Sequence, residues 1–173
     1  MVYVPADLDS KRVVSVRRDG SELALSLPPN RYGMPRISPD GRRLLVENQG
    51  MESQGSVLET LDLLRGNARL TAAEMGTAYP TWTDDGEGVV FRRFRVPFWA
   101  AADGSGKGGP VPEGLINDYP TSPGPDPDTI LGVRIQPETS GDIFLMSISG
   151  KFKFKEPSFG LRRNTSWMTS KRE

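Results

Sequence analysis

The sequence predicts an all-β protein in which short antiparallel strands are joined by tight turns. Apolar residues make up 36% of the 173 residues, and glycine (19) and proline (15) are abundant. Turn-forming residues spread between short apolar runs favour many short strands over a bundle of long helices. Residues 57–64 are compatible with a helix and nearly as well with a strand, and the repeat that contains them favours the strand.

A repeated strand–turn–strand segment supports this fold class. The first copy, at residues 35–46, reads Pro-Arg-Ile-Ser-Pro-Asp-Gly-Arg-Arg-Leu-Leu-Val. A second copy at residues 80–91 follows with an offset of 45 residues, and a less regular third copy starts at Pro120, 40 residues further on. In the third copy Gly-Pro-Asp-Pro-Asp at residues 124–128 replaces the compact turn, so we expect a longer turn there. The residues that mark the repeat, and to which we assign structural roles, are Pro35, Ser38, Pro39, Asp40, Gly41, Pro80, Trp82, Asp85, Gly86 and Pro120.

A second hairpin alternates with the first in each period. Short apolar strands flank Asp19-Gly20, Asp103-Gly104 and two further glycine-containing turns at residues 65–66 and 150. An Asp-Gly pair is a strong hairpin signal, because glycine tolerates a positive φ and aspartate can hydrogen-bond to the turn backbone. Each period therefore contains two hairpins, or four strands, which is the content of one β-propeller blade.

The repeat predicts about three full blades of four antiparallel strands and part of another. Together these blades cover residues 1–156. The partial blade is placed at residues 1–30, and the fuller blades at 34–72, 79–113 and 119–155.

Residues 157–173 form a basic tail after the last predicted blade. Residues 164–171 faintly resemble residues 79–86, with Trp167 at the place of Trp82. The tail could supply the innermost strand that the first blade lacks. Alternatively, it is a frayed end with an unrelated tryptophan.

The turn from Ser38 to Gly41, with its flanking Pro-Arg-Ile and Arg-Leu-Leu-Val, resembles the repeat of TolB-type propellers. The resemblance covers roughly residues 1–155 and is specific in the first two copies. Similar repeats occur in sensory parts of some bacterial protein kinases and regulators, and in the lids of prolyl-oligopeptidase-like enzymes. The resemblance therefore implies protein contacts or a sensory role, or alternatively the lid of a hydrolase. The irregular third turn also leaves open a drifted remnant without selected function.

The predicted set of blades leaves a ring incomplete. Whole propellers of the family that the sequence resembles usually have six or more blades. Each blade has an apolar face that its neighbour must cover, so an open arc exposes two such faces and free strand edges. The chain could close alone as four blades, join a second copy, or be part of a longer protein. We favour a homo-oligomer, a dimer, because three full blades are half of six; another protein is the alternative partner.

Charges are balanced overall but unevenly distributed. Basic and acidic residues number 22 each, yet residues 151–173 carry seven basic and two acidic residues, a net +5 against −5 for the rest. Such a tail could bind anions or dock on the body or a sister chain, or it could simply be solvated. Lys151, Lys153 and Lys155 alternate with phenylalanines, as on an outer strand whose lysines protect its edge. Nucleic-acid binding would use the same pattern, but the acidic body argues against it.

The composition excludes several kinds of chemistry. The chain has no cysteine and no histidine, so disulfides, Cys/His zinc sites and histidine acid–base catalysis are excluded. Lys107 is not followed by the Ser or Thr of a phosphate-binding loop, and Ser53 lacks the first glycine of a nucleophile elbow. We therefore expect a protein that is not an enzyme and that uses no cofactor or metal.

Two groups of residues are candidate contacts. Asp40 and Asp85 could bind a metal or ligand at one rim, but their places in turns favour a structural role. Arg92, Arg93 and Arg95 follow a predicted strand and could form an anion- or partner-binding patch. The alternative for these arginines is a solvated strand end or a set of ion pairs.

The sequence also bears on location. No apolar run is long enough to span a bilayer, and residues 1–15 lack the plan of a signal peptide. As written, the chain is expected in the cytoplasm without a membrane partner. If it is a piece of a longer exported protein, the expectation becomes the periplasm or the cell exterior.

Overall fold

A computed structural model of the chain describes residues 10–50, 56–72, 76–112, 116–135 and 140–149. Over these residues the chain forms thirteen β-strands and no helix, which confirms the all-β prediction. No helix in this part of the chain could cross a lipid bilayer. The strands are β1 (Val14–Val16), β2 (Glu22–Ala24), β3 (Tyr32–Ile37), β4 (Arg43–Asn48), β5 (Val57–Asp62), β6 (Ala68–Ala72), β7 (Thr77–Trp82), β8 (Gly88–Arg93), β9 (Val96–Ala101), β10 (Gly108–Pro110), β11 (Asp118–Pro123), β12 (Thr129–Arg134) and β13 (Asp142–Ser147).

The strands form one hairpin and three larger antiparallel sheets in which chain order is also spatial order. β1 pairs with β2; β3 to β6 and β7 to β10 form four-stranded sheets; β11 to β13 form a three-stranded sheet. We number these the first to fourth sheets. β7 contacts both β3 and β11, so these three strands make up the inner edge of an arc of sheets. The described sheets do not close into a ring.

Alternation of side chains along the second strand of each sheet places apolar residues on both faces. In β4, Leu44 and Val46 pack against the first hairpin, whereas Leu45 packs against the third sheet. In β8, Val89 faces the second sheet and Val90 faces the fourth. The core is therefore a series of layers between neighbouring sheets, as the predicted blades require.

The connection after the inner strand has the same length in all three repeat copies. It spans residues 38–42, 83–87 and 124–128. The prediction of a longer third turn is therefore wrong. Each inner strand contains a one-residue bulge, which lies around the repeat proline in the first two copies and after Pro120 in the third. β11 has the same six residues and single bulge as β3 and β7, but Pro120 is the third residue of its strand whereas Pro35 and Pro80 are the fourth, so the added residue lies in the strand after Pro120.

Three predictions fall outside the described residues. They are the start of the partial blade, at residues 1–9, the strand that carries Lys151, Lys153 and Lys155, and the tail at residues 157–173.

Candidate functional site

Asp40 holds the first repeat turn through two hydrogen bonds to its Oδ1. The Ser38 hydroxyl donates at 2.5 Å and the Arg42 N–H at 3.1 Å. These bonds, that from Ser38 first, lower the pKa of the Asp40 carboxyl below its usual value. Gly41 follows with φ of 72°, in the left-handed region that favours glycine. In the described part of the chain, no three acid side chains lie together in a way that could hold a metal ion.

The second turn repeats this arrangement and the third replaces it. Asp85 Oδ1 accepts hydrogen bonds from the Thr83 hydroxyl at 2.6 Å and the Glu87 N–H at 2.9 Å. In the third turn Gly124 stands where the first two copies have Ser or Thr. A Cβ at Gly124 would overlap the Thr129 hydroxyl, so these two positions are complementary in size. The third turn is therefore built differently from the first two, with a glycine that leaves room for the Thr129 side chain.

Trp82 joins the second and third sheets. Its side chain is 2% exposed and packs in one cluster with Leu45 and Phe91. Its Nε1–H donates to the Arg36 carbonyl at 3.0 Å. The Arg43 guanidinium carbon lies 4.9 Å from the ring centroid, within cation–π distance.

The remaining marker residues lie in the turns or on the inner strands. Pro39 and Gly86 belong to the two regular turns, and the Gly86 carbonyl accepts a hydrogen bond from the Arg43 side chain at 2.6 Å. The repeat prolines, Pro35, Pro80 and Pro120, lie on β3, β7 and β11.

The residue before each repeat proline is Met34, Tyr79 or Tyr119, at the inner edge of the arc. Met34 has φ of 48° and Tyr79 has φ of 56°. Such values are rare for bulky residues and are a form of local strain. The rings of Tyr79 and Tyr119 meet edge to face, with centroids 5.1 Å apart.

Arg92, near the end of β8, lies against both of these tyrosines. Its Cζ is 4.0 Å from the centroid of the Tyr119 ring and 5.9 Å from that of Tyr79. Its Nε is buried and makes no hydrogen bond to any of the described residues. The guanidinium is therefore positioned by ring faces.

The three predicted arginines do not converge on one point. Because successive residues of β8 alternate, Arg93 lies on the face opposite to Arg92, with its Cζ 5.1 Å from the Phe98 ring centroid. Arg95 Nη2 donates to Asn117 Oδ1 at 2.8 Å, next to the inner strand β11. Arg92 is the member of the three that meets the tyrosine pair.

An ion pair that the sequence analysis missed lies beside this cluster. Arg134 donates from Nε and Nη2 to the two carboxylate oxygens of Asp118 at 2.7 and 2.8 Å. The Asp118 side chain is fully buried, and its hydrogen bond raises the pKa of Arg134, with burial opposing the shift. The two residues are direct partners in the β11–β12 register. An acidic residue at the start of one strand and an arginine at the end of the next could have indicated the pair.

An apolar groove lies between the first hairpin and the second sheet. The groove has a volume of about 590 Å³. Among the described residues the first sheet consists of β1 and β2 alone, and the groove lies where further strands of that sheet would otherwise pack. Its apolar lining includes Val13, Leu25, Leu44, Val46 and Leu63.

The outer face of the fourth sheet is the other incomplete surface. Leu131 is opposite Leu145 and Val133 is opposite Ile143 across β12 and β13, so the four share one face. Ile143 is 76% exposed, and the other three are half-buried. No fifth sheet covers this face among the described residues.

Antiparallel sheets stacked side by side around a common inner edge define a β-propeller, and the arc is open, so the chain is a partial one. Solved structures show which propeller fold it is. The chain is similar to TolB from Acinetobacter baumannii, at 14% identity and a TM-score of 0.65, over 80% of this chain and 35% of that one. It is also similar to a putative TolB from Agrobacterium tumefaciens, at 16% identity and a TM-score of 0.65, over 83% and 53%. The fold is therefore that of a TolB-like β-propeller.

The β-propeller domain of the Trilobed protease from Pyrococcus furiosus is a further similar structure. It shares 16% identity at a TM-score of 0.57, over 82% of this chain and 48% of that one. The chain thus spans between about a third and about half of these structures. No protein-family model matches the sequence, and no curated protein matches it closely.

Proposed function

We propose that this chain is a non-catalytic propeller module that binds a protein or another ligand and completes its ring by associating with a second copy. The observation that carries self-association is the uncovered outer face of the fourth sheet. Ile143 is exposed on this face, on the same side of the sheet as the half-buried Leu131, Val133 and Leu145. In a propeller, such a face packs against the next blade.

The other end of the arc supports the same proposal. The first hairpin covers only part of the second sheet and leaves the apolar groove beside β3 and β4. A twofold axis along the centre of the ring would bring this end of one chain against the fourth sheet of the other, twice. Both incomplete surfaces would then be covered without leaving a free end.

The composition supports binding rather than catalysis. The chain contains neither histidine nor cysteine, which are the side chains most often used for proton transfer and for strong nucleophiles near neutral pH. The turn aspartates are engaged in local hydrogen bonds.

Light scattering after size exclusion tests self-association. We expect twice the chain mass of 19.0 kDa for the full chain and a monomer for Ile143→Lys. Phe94→Lys is the matched control, because Phe94 is 69% exposed but lies in the β8–β9 turn of the third sheet, away from both ends of the arc, and it should remain dimeric. A monomeric full chain, or a dimeric Ile143→Lys variant, contradicts the proposal. If deletion of residues 157–173 abolishes the dimer, the tail supplies the closing strand.

A second candidate function is the lid of a peptidase. The likeness to the propeller domain of the Trilobed protease favours it. This alternative predicts a hydrolase domain in the same reading frame as the chain, whereas a self-associating module needs none.

A further inference from the structure

We propose that the apolar groove between the first hairpin and the second sheet binds one fatty acid, with the hydrocarbon chain in the groove and the carboxylate at Lys11 and Arg12. This inference rests on the proposed function, because it names the class of ligand that the binding module accepts.

The groove is elongated and large enough for such a ligand. Its volume is about 590 Å³, and pockets for small ligands usually have roughly 300–1,000 Å³. It follows β3, which from Tyr32 to Ile37 is about 15 Å long at the usual rise per residue. An extended hydrocarbon chain fits this shape better than a compact ligand does.

Apolar side chains along the groove keep surface that a ligand can bury. Val13, Leu25 and Leu63 line it and are half-buried, although they pack against the core at this end of the arc. Ile37, which also lines the groove, is 55% exposed. Burial of a hydrocarbon chain against these side chains is favourable in proportion to the apolar area that leaves water.

The positive charges lie at one end of the groove. Lys11 and Arg12 precede β1, and the Lys11 backbone is fixed near the start of β3 by two hydrogen bonds with Asn30, of 2.8 and 3.2 Å. Ile37 ends β3 and Leu63 follows β5, so these two residues lie at the opposite end of the groove. A ligand with a charge at only one of its ends matches this arrangement.

The sign of the ligand charge follows from the residues that line the groove. Lys11 and Arg12 are exposed, and neither makes an ion pair with any of the described residues. No acidic residue is among the described residues that line the groove. A carboxylate is therefore the complementary headgroup.

A hydrocarbon chain suits the groove better than a peptide does. Besides the two cations, the polar side chains that line it are those of Ser15 and Tyr32, and the Tyr32 hydroxyl is buried. The amide groups of a bound peptide need hydrogen-bond partners that these side chains do not supply. A hydrocarbon chain needs none.

The test is a titration of the full chain with decanoate, measured by equilibrium dialysis and by the methyl resonances of the protein. We expect the resonances of Val13 and Leu25 to shift and saturate, while that of Ile130, in the fourth sheet, stays unchanged. Decanoate should bind about tenfold more tightly than octanoate, because burial of one methylene changes affinity by about fourfold. Decyltrimethylammonium, which has the same chain length and the opposite charge, should bind more weakly than decanoate.

Two matched double variants test the contact with the carboxylate. Lys11→Gln with Arg12→Gln should weaken decanoate binding by about fivefold, because each exposed charge pair contributes little. Arg17→Gln with Arg18→Gln removes the same charge from the exposed turn between β1 and β2, outside the groove, and should bind as the parent chain does.

Several results would overturn the proposal. Equal affinities for octanoate and decanoate would mean that the chain is not buried, and equal losses in the two double variants would mean that the carboxylate has no specific contact. Tighter binding by a Val2→Asp, Val4→Asp variant would show that residues 1–9 occupy the groove in the full chain. Displacement of decanoate by an equal concentration of acetylated Val-Glu-Val-Glu would mean that a peptide strand adds to β1.

The relation to self-association is tested on the same samples. Dissociation of the dimer by decanoate would assign the groove to the second copy and would also overturn the proposal. Masses measured without decanoate report on self-association alone, so the two proposals can fail independently.

Discussion

β8 and β12 occupy equivalent places in their sheets but differ in how their faces are covered. In β8, Val89 and Val90 face opposite neighbours, and both are fully buried. In β12, Ile130 faces the third sheet and is fully buried, whereas Leu131 on the other face is half-buried. The residue types are alike, so the difference comes from the neighbours. Coverage by the next sheet, rather than the sequence of a strand, decides which apolar face becomes core.

The largest expected effect is a difference in the free energy of unfolding between variants of two isoleucines on opposite faces of the fourth sheet. Ile130→Ala should lower the free energy of unfolding by about 2–5 kcal/mol, because it leaves a cavity in a packed layer. Ile143→Ala should cost less than about 0.5 kcal/mol at concentrations where the chain is monomeric, because the side chain is exposed there. Urea unfolding of both variants measures the difference. Equal costs would mean that the two faces are equally covered.

The next effect concerns the ion pair at the start of the fourth sheet. Asp118→Asn removes the charged partner of Arg134, and we expect a loss of about 2 kcal/mol, because Arg134 is partly exposed and is rescued in part by solvent. Asp84→Asn is the control, because Asp84 is exposed in the turn between β7 and β8, so its loss should stay within about 0.5 kcal/mol. Thermal unfolding compares the two. Equal melting temperatures for the two variants would show that the ion pair does not stabilise the fold.

A smaller effect distinguishes the third repeat turn from the other two. Gly124→Ser restores the residue type of the first two copies but places its Cβ against the Thr129 hydroxyl, so it should destabilise the chain by about 1–3 kcal/mol. The double variant with Thr129→Gly should recover part of this loss, measured by urea unfolding. Additive losses would show that the two positions are not complementary.

The smallest effect is on the dependence of stability on pH. The pKa of Asp40 is lowered by hydrogen bonds from Ser38 and Arg42. A carboxyl group with a lower pKa in the folded than in the unfolded chain contributes stability above about pH 4 and loses it as pH falls through the folded pKa. Asp40→Asn should therefore flatten the fall in melting temperature on acidification. Glu22→Gln, exposed on β2, controls for the loss of one charge and should follow the parent curve.

The fold could be predicted because its signals are local. Turn residues such as Gly41 require particular backbone conformations, and the alternation in β4 and β8 places apolar residues on two faces. The length of the third turn could not be predicted from its proline-rich sequence, because Pro120 lies one position earlier in its strand than Pro35 and Pro80, which places the added residue in β11. Where a strand ends depends on its pairing with the next strand, which a single strand does not reveal.

The candidate site was predictable only in part. Arg92, Arg93 and Arg95 stood out as a basic run, but their separation follows from the pleat of β8 and the turn after it. A tyrosine precedes both Pro80 and Pro120 in the sequence. Arg92 contacts both tyrosines only because the inner strands β7 and β11 lie side by side in neighbouring sheets. These strands are far apart in the sequence, so no local pattern could predict the contact.

The claim that a second copy covers the fourth sheet can be tested most directly by thiol labelling. Because the chain has no cysteine, Ile143→Cys introduces a single reactive thiol on the exposed face. We predict that its labelling rate falls as protein concentration rises through the range in which light scattering detects the dimer, while Phe94→Cys, in the β8–β9 turn, labels at a constant rate. A labelling rate at position 143 that does not change with concentration would contradict closure of the ring through this face.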